Sequence, residues 1–148
     1  MQIRRILVPI DFSSHGRKAL ETAVELAKGF DAELILLHAY HVDAPMVSPG
    51  FGEVAFPAGF LEQLRDRATQ SLDALAREVG KGDVAISTVI CAETPSDAIV
   101  AHAEAQAVDW IVMGTHGHTG IKHVLLGSVT ERVLRTAPCP VLTVREVD

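Results

Sequence analysis

Apolar and polar positions divide this chain into two kinds of block. Short, mostly apolar runs rich in Ile, Leu and Val occupy residues 4–10, 33–39, 84–90, 109–114 and 140–145. Near-continuous apolarity, rather than strict alternation, predicts strands of a parallel sheet covered on both faces. Longer blocks with helical spacing lie between them. Ala19, Leu20, Ala23, Val24 and Ala27 share one face of a first helix, with Ser13 or Ser14 as its cap and Gly29 at its end. Leu61, Leu64, Ala68, Leu72, Leu75 and Val79 mark a second helix that starts at Phe60 and stops at Gly80 and Gly82. Thr94, as N-cap, and Pro95, at the first helical position, open a third that runs to Ala107 and buries Ile99, Val100 and Ala103. A fourth covers residues 128–136. The order βαβαβαβαβ predicts right-handed crossovers and an open α/β sheet with helices on both faces.

A chain of 148 residues is most simply one domain, residues 1–148, able to bury roughly 70% of its unfolded surface. With 48% apolar and 22% charged residues it has a globular composition. No apolar run approaches the ~18 residues of a membrane span, and the first strand begins too early to leave room for a signal peptide. Two cysteines, Cys91 and Cys139, make neither a disulfide framework nor a metal-ligand spacing. A reduced, cytoplasmic protein is expected. Residues 41–59, with three prolines and three glycines, predict a long loop of the kind used as a lid, interface element or mobile segment.

Net charge is −6, which argues against nucleic acid as a partner. Within residues 114–136, however, Lys122, Arg132 and Arg135 stand against Glu131 alone, with His116, His118 and His123 beside them. A basic island in an acidic chain favours a small anion. Gly114, Gly117, Gly127 and Ser128 in the same stretch have the spacing G-x2-G-x9-G-S, between the fourth strand and the fourth helix. Glycine at a strand exit permits positive φ and lets a ligand approach the main chain. At the helix start the N–H groups of residues 128–130 would be unpaired and open to an anion, with hydroxyls on Ser128 and Thr130. The plainer alternative is that the glycines make a turn and Ser128 a cap. Neither a P-loop nor a dinucleotide fingerprint is present.

Taken with residues 8–13 (Val-Pro-Ile-Asp-Phe-Ser) and 137–144 (Ala-Pro-Cys-Pro-Val-Leu-Thr-Val), this glycine pattern resembles the universal stress protein family, and the likeness spans essentially the whole chain. The resemblance implies a five-stranded parallel sheet of order 3-2-1-4-5, a Rossmann-like α/β fold, and commonly a homodimer. Its subset with the full G-x2-G-x9-G-[ST] pattern binds ATP, so the resemblance implies ATP as ligand, with Mg²⁺ as a candidate companion. Carried over residue by residue, it implies adenosine-side contacts from Pro9, Ile10 and Asp11, and an adenine pocket at Ala39. It further implies base and ribose contacts from Met113 and Gly114, and phosphate contacts from Gly117, Gly127, Ser128, Val129 and Thr130. In that strand order the winding reverses between strands one and four, where open α/β sheets bind their ligands.

Several residues keep a second reading. Asp11 can face ribose or metal, or cap the first helix with Ser13 and Ser14. His116, His118 and His123 lack a fourth ligand nearby, which disfavours a metal site. His38 and His41 read as pocket-rim or interface residues, and Cys139 between two prolines as structural. The apolar edge formed by residues 140–146 predicts a two-fold pairing of chains. The function expected is that of an ATP-binding stress-response or regulatory module. A slow ATP hydrolase or self-phosphorylating protein is the enzymatic alternative, and an interaction module with no nucleotide is the structural one.

Overall fold

The computed structural model describes residues 2–42, 56–118 and 126–146. Lys122, His123 and most of the 41–59 segment therefore lie outside the described residues. Five strands, β1 (Arg5–Pro9), β2 (Glu33–Ala39), β3 (Ile86–Cys91), β4 (Trp110–Gly114) and β5 (Val141–Val144), alternate with four helices, α1 (Ser14–Phe30), α2 (Phe60–Val79), α3 (Pro95–Ala105) and α4 (Ser128–Thr136). The strands form one parallel sheet of order β3-β2-β1-β4-β5. This is the strand order that the resemblance implied.

Strand periodicity sorts the apolar residues into two layers. Ile6, Val8, Leu34, Leu36 and Val112 point to the side covered by α1 and α2, where they meet Leu20, Ala23, Leu72 and Leu75. Leu7, Ile35, Leu37, Ile111 and Met113 point to the opposite side, against Ala98, Ile99 and Ala103 of α3 and Val133 of α4. The apolar runs of β1, β2 and β4 are thus strands buried on both faces, whereas the edge strands β3 and β5 are mostly half-buried. Among the described residues no helix is long and apolar enough to cross a membrane.

Several boundaries differ from the periodicity, each for a local reason. α1 runs past Gly29, and its left-handed C-cap is Asp31 at φ 54°, whose N–H donates to Ala27 O. β3 starts at Ile86 rather than residue 84 because pairing with β2 begins at the Leu34↔Ile86 partners. The helix opened by Pro95 ends at Ala105, ahead of Ala107, which turns out at φ 46°. Thr94 occupies the N-cap without a side-chain hydrogen bond to the helix.

One acid joins the lower edge of the sheet together. Asp109 Oδ2, just before β4, accepts from the backbone N–H of Arg4 at 2.8 Å and of Arg5 at 2.9 Å. The two N–H groups hold its carboxyl below the usual aspartate value, first through Arg4 and then Arg5. A carboxylate depressed in the folded state stabilises the fold above its unfolded pKa of about 3.9 and loses that contribution as pH falls from there through its lower folded pKa. Asp109→Asn is therefore expected to melt below the unsubstituted protein at pH 7, with the gap narrowing as pH falls below about 4 toward the depressed folded pKa. A gap that stays constant across this range in thermal melts would contradict the assignment.

Candidate functional site

The end of β1 turns sharply into α1. Ile10 N–H donates to Leu37 O at 2.8 Å, extending the ladder one residue beyond the strand. Phe12 then takes φ 62°, a left-handed conformation rare for an aromatic residue. Ser13 is the N-cap of α1, its Oγ accepting from Gly16 N–H at 3.0 Å. Asp11 Oδ1 accepts from Ser13 N–H at 2.9 Å and from Ser13 Oγ–H at 2.5 Å.

The two readings of Asp11 are divided between its two oxygens. Oδ1 belongs to the cap, while Oδ2 faces Gly117, where a Cβ would lie 2.6 Å from it. A Cβ on Gly16 would come within 2.7 Å of Oδ1. The carboxylate thus fits between the α-carbons of two elements that side chains would push apart. Two histidines fasten the same turn. His38 Nδ1 donates to Ile10 O at 2.7 Å, its ring 4.9 Å from Phe12, and His118 Nε2 donates to the carbonyl of Asp11.

At the end of β4, Gly114 is required by close approach. A Cβ there would sit 3.0 Å from the backbone C and O of His15 in the first turn of α1. Positive φ is not the reason, since among the described glycines only Gly59 has it. Gly127 is different again, because its φ of −70° and ψ of 155° suit any residue. A Cβ there would meet only ordinary contacts, at 3.5 Å from His116 Cα and Thr115 O.

Gly127 caps α4 without a side chain, and the helix's first bond is Glu131 N–H to Gly127 O at 2.9 Å. The N–H groups of residues 128, 129 and 130 consequently have no partner in the helix. Thr130 is buried, and its Oγ1 donates to Gly114 O at 2.9 Å. That proton is committed to holding α4 against β4, leaving the backbone N–H as the donor that Thr130 can offer a ligand.

These two strand exits and the start of α4 enclose one crevice. Pro9, Ile10, Asp11, Ala39, Met113, Gly114, Gly117, Gly127, Ser128, Val129 and Thr130, all the residues singled out in the sequence, line it together. It holds about 750 Å³ counting its open mouth. Leu37, Pro95 and Ile99 complete its apolar wall, and Gly16 and His116 its rim. None of these five was expected from the sequence. Their signal lay in the topology, because α3 covers the face of the sheet on which Leu37 and Met113 lie.

The arginines of the basic island do not reach this crevice. Arg132 pairs with Asp97 at 2.8 Å and Arg135 lies 3.9 Å from Glu131, both on exposed helix surface. His116 does line the crevice, with Nδ1 3.1 Å from Thr115 Oγ1. No group of three or more His, Cys, Asp and Glu among the described residues is placed to hold a metal ion. Burial first, and a neighbouring acid second, push the thiols of Cys91 and Cys139 up, which disfavours the nucleophilic thiolate.

Residues 2–145 match the model of the universal stress protein family. Universal stress protein MJ0531 of Methanocaldococcus jannaschii is 36% identical over 143 residues, covering 97% of this chain and 82% of that protein. Among solved structures, that of MJ0577 from the same organism superposes with a TM-score of 0.85 at 30% identity, covering 100% and 99% of the two chains. A universal stress protein in complex with cAMP superposes with a TM-score of 0.64 at 25% identity, covering 98% of each chain.

The glycines should separate cleanly on substitution. Gly114→Ala drives a methyl into the backbone of His15 and is expected to cost about 1–3 kcal/mol, a fall of several degrees in melting temperature. Gly127→Ala is expected to stay within about 0.5 kcal/mol of the parent. Equal melting temperatures for the two variants would contradict the close approach of α1 to β4.

Proposed function

The chain belongs to the universal stress protein family, and from that premise and the crevice we propose that it binds ATP as a stress-response or regulatory module. The adenine lies along the apolar wall of Ile10, Ala39 and Met113, the ribose faces Asp11 and Gly114, and the phosphates meet Gly117, Gly127 and the N–H groups of residues 128–130. One observation carries this reading. A single crevice joins an apolar slot at one end to a helix start with three unpaired N–H groups at the other. The relative solved with cAMP supports an adenine nucleotide as the ligand class.

Magnitudes decide which parts of the site matter. Micromolar affinity requires about 8 kcal/mol, and each hydrogen bond to a charged phosphate oxygen contributes roughly 1.5–3 kcal/mol. The helix dipole adds about 0.3–1 kcal/mol. Three N–H contacts with burial of the base are sufficient, whereas the dipole alone is not. No lysine or arginine among the described residues lines the crevice, and Asp11 brings a negative charge to it. A divalent cation such as Mg²⁺ carried on the phosphates offsets that repulsion.

The proposal is binding rather than turnover, in the setting of a homodimer. β5 is one of the two sheet edges, and Val141, Leu142, Thr143 and Val144 are each only half-buried along it. A second copy pairing along residues 140–146 would cover them.

Calorimetry with ATP, ADP and AMP, each with and without Mg²⁺, tests the ligand. ATP with Mg²⁺ is expected to bind in the micromolar range, and Gly127→Val to abolish binding while the melting temperature holds. No heat at millimolar nucleotide would overturn the proposal, and hydrolysis well above one turnover per minute would replace binding with catalysis. For the assembly, sedimentation at micromolar protein is expected to give a dimer, and a monomer there would refute the edge pairing.

A further inference from the structure

The last described residues of the chain return to the crevice from behind. Glu146, two residues past β5, places Oε2 2.8 Å from Ser14 Oγ, which donates to it across 132 positions of sequence. The same oxygen lies 3.3 Å from His15 Nδ1, without the alignment of a hydrogen bond. Ser14 and His15 open α1, and it is the backbone of His15 that abuts Gly114 at the crevice floor. The next residue, Gly16, lines the crevice and lies against Asp11. Glu146 therefore holds the element that carries one wall of the site.

A second link runs through the main chain. Thr115, buried just beyond β4, accepts from Gly127 N–H at 2.8 Å and donates its own N–H to Val144 O at 3.1 Å. The helix start at the phosphate end and the last residue of β5 are thus hydrogen-bonded to the same residue, through its carbonyl and its N–H. The ring of His15 lies 5.6 Å from that of His116, the crevice-lining neighbour of Thr115. Two independent connections, one by side chains and one by backbone, join residues 144–146 to opposite walls of the crevice.

We propose that Glu146 is a positioning residue for the ligand site, clamping the first turn of α1 so that the Asp11 wall and the Gly127–Thr130 wall stand at binding distance. It touches no ligand. Its effect is on how often the crevice is found in its closed, binding-competent arrangement, and by linkage a bound ligand tightens the clamp in return. This rests on the nucleotide reading given above.

The test is a double-mutant cycle read by calorimetry with Mg-ATP on the full chain. Glu146→Ala and Ser14→Ala are each expected to weaken binding about three- to tenfold, the net value of one ordinary, solvent-exposed hydrogen bond. The double variant is expected to be no weaker than either single one, because both remove the same clamp. Glu146→Asp, which keeps the charge but shortens the reach, should fall between. Glu146 is partly exposed, so melting temperatures should change little, and Glu146→Met, which keeps the length but loses the carboxylate acceptor, serves if the alanine variant is unstable. Affinity within twofold of the parent for both Glu146→Ala and Ser14→Ala, or losses that simply add, would overturn the clamp. If the parent protein itself binds no nucleotide, the function proposal fails first, and the cycle then reads as a loss of both.

Discussion

Everything near the crevice depends on how closely the first turn of α1 approaches the exit of β4. Because β1 and β4 are neighbours while the chain winds in opposite directions from them, both exits open at one place, and α1 must leave β1 directly beside Gly114. The approach leaves 3.0 Å for any β-carbon at that position. The Asp11 carboxylate fills the remaining gap between Gly16 and Gly117. Ser13, His38 and His118 fix the turn that carries it. Core packing on both faces supplies the rigidity, and the small residues supply the proximity.

The character of the proposed ligand follows from what this proximity presents. One end of the crevice is apolar side chain and the other is backbone, with the N–H groups of 128–130 facing outward. Oriented backbone dipoles in a fixed frame recognise a compact anion without a cationic side chain. The described arginines nearby are paired on the outer surface of α4. Shape and backbone, more than net charge, make the site selective in this account. Thr130 illustrates the division of labour, since its hydroxyl is bound to Gly114 O and braces the frame from which its N–H projects.

How much of this was readable in the chain depends on the range of the interaction. Apolar runs and helical spacing revealed the elements and, with the family resemblance, the strand order, because burial on both sheet faces imprints directly on composition. The glycine spacing located one wall of the crevice and the β1 exit the other. What could not be read were contacts between distant positions. Gly114 looked like a glycine for a ligand, yet its β-carbon space is taken by His15. Charge counting likewise suggested a basic pocket, but Arg132 finds Asp97 on another helix. Pro95 and Ile99 carried no site signal, and Glu146 none at all, until the sheet order placed them. Asp31 ended α1 in place of Gly29 because the left-handed cap falls two residues later.

The central claim, that one crevice receives the base at its apolar end and the phosphates at the start of α4, is tested most directly by following backbone amide resonances during titration with Mg-ATP. The account predicts that the largest shifts fall on residues 127–130, with a second group at residues 10–11 and 39, all saturating with one midpoint. Saturable shifts confined to another surface, or none at millimolar nucleotide, would contradict it.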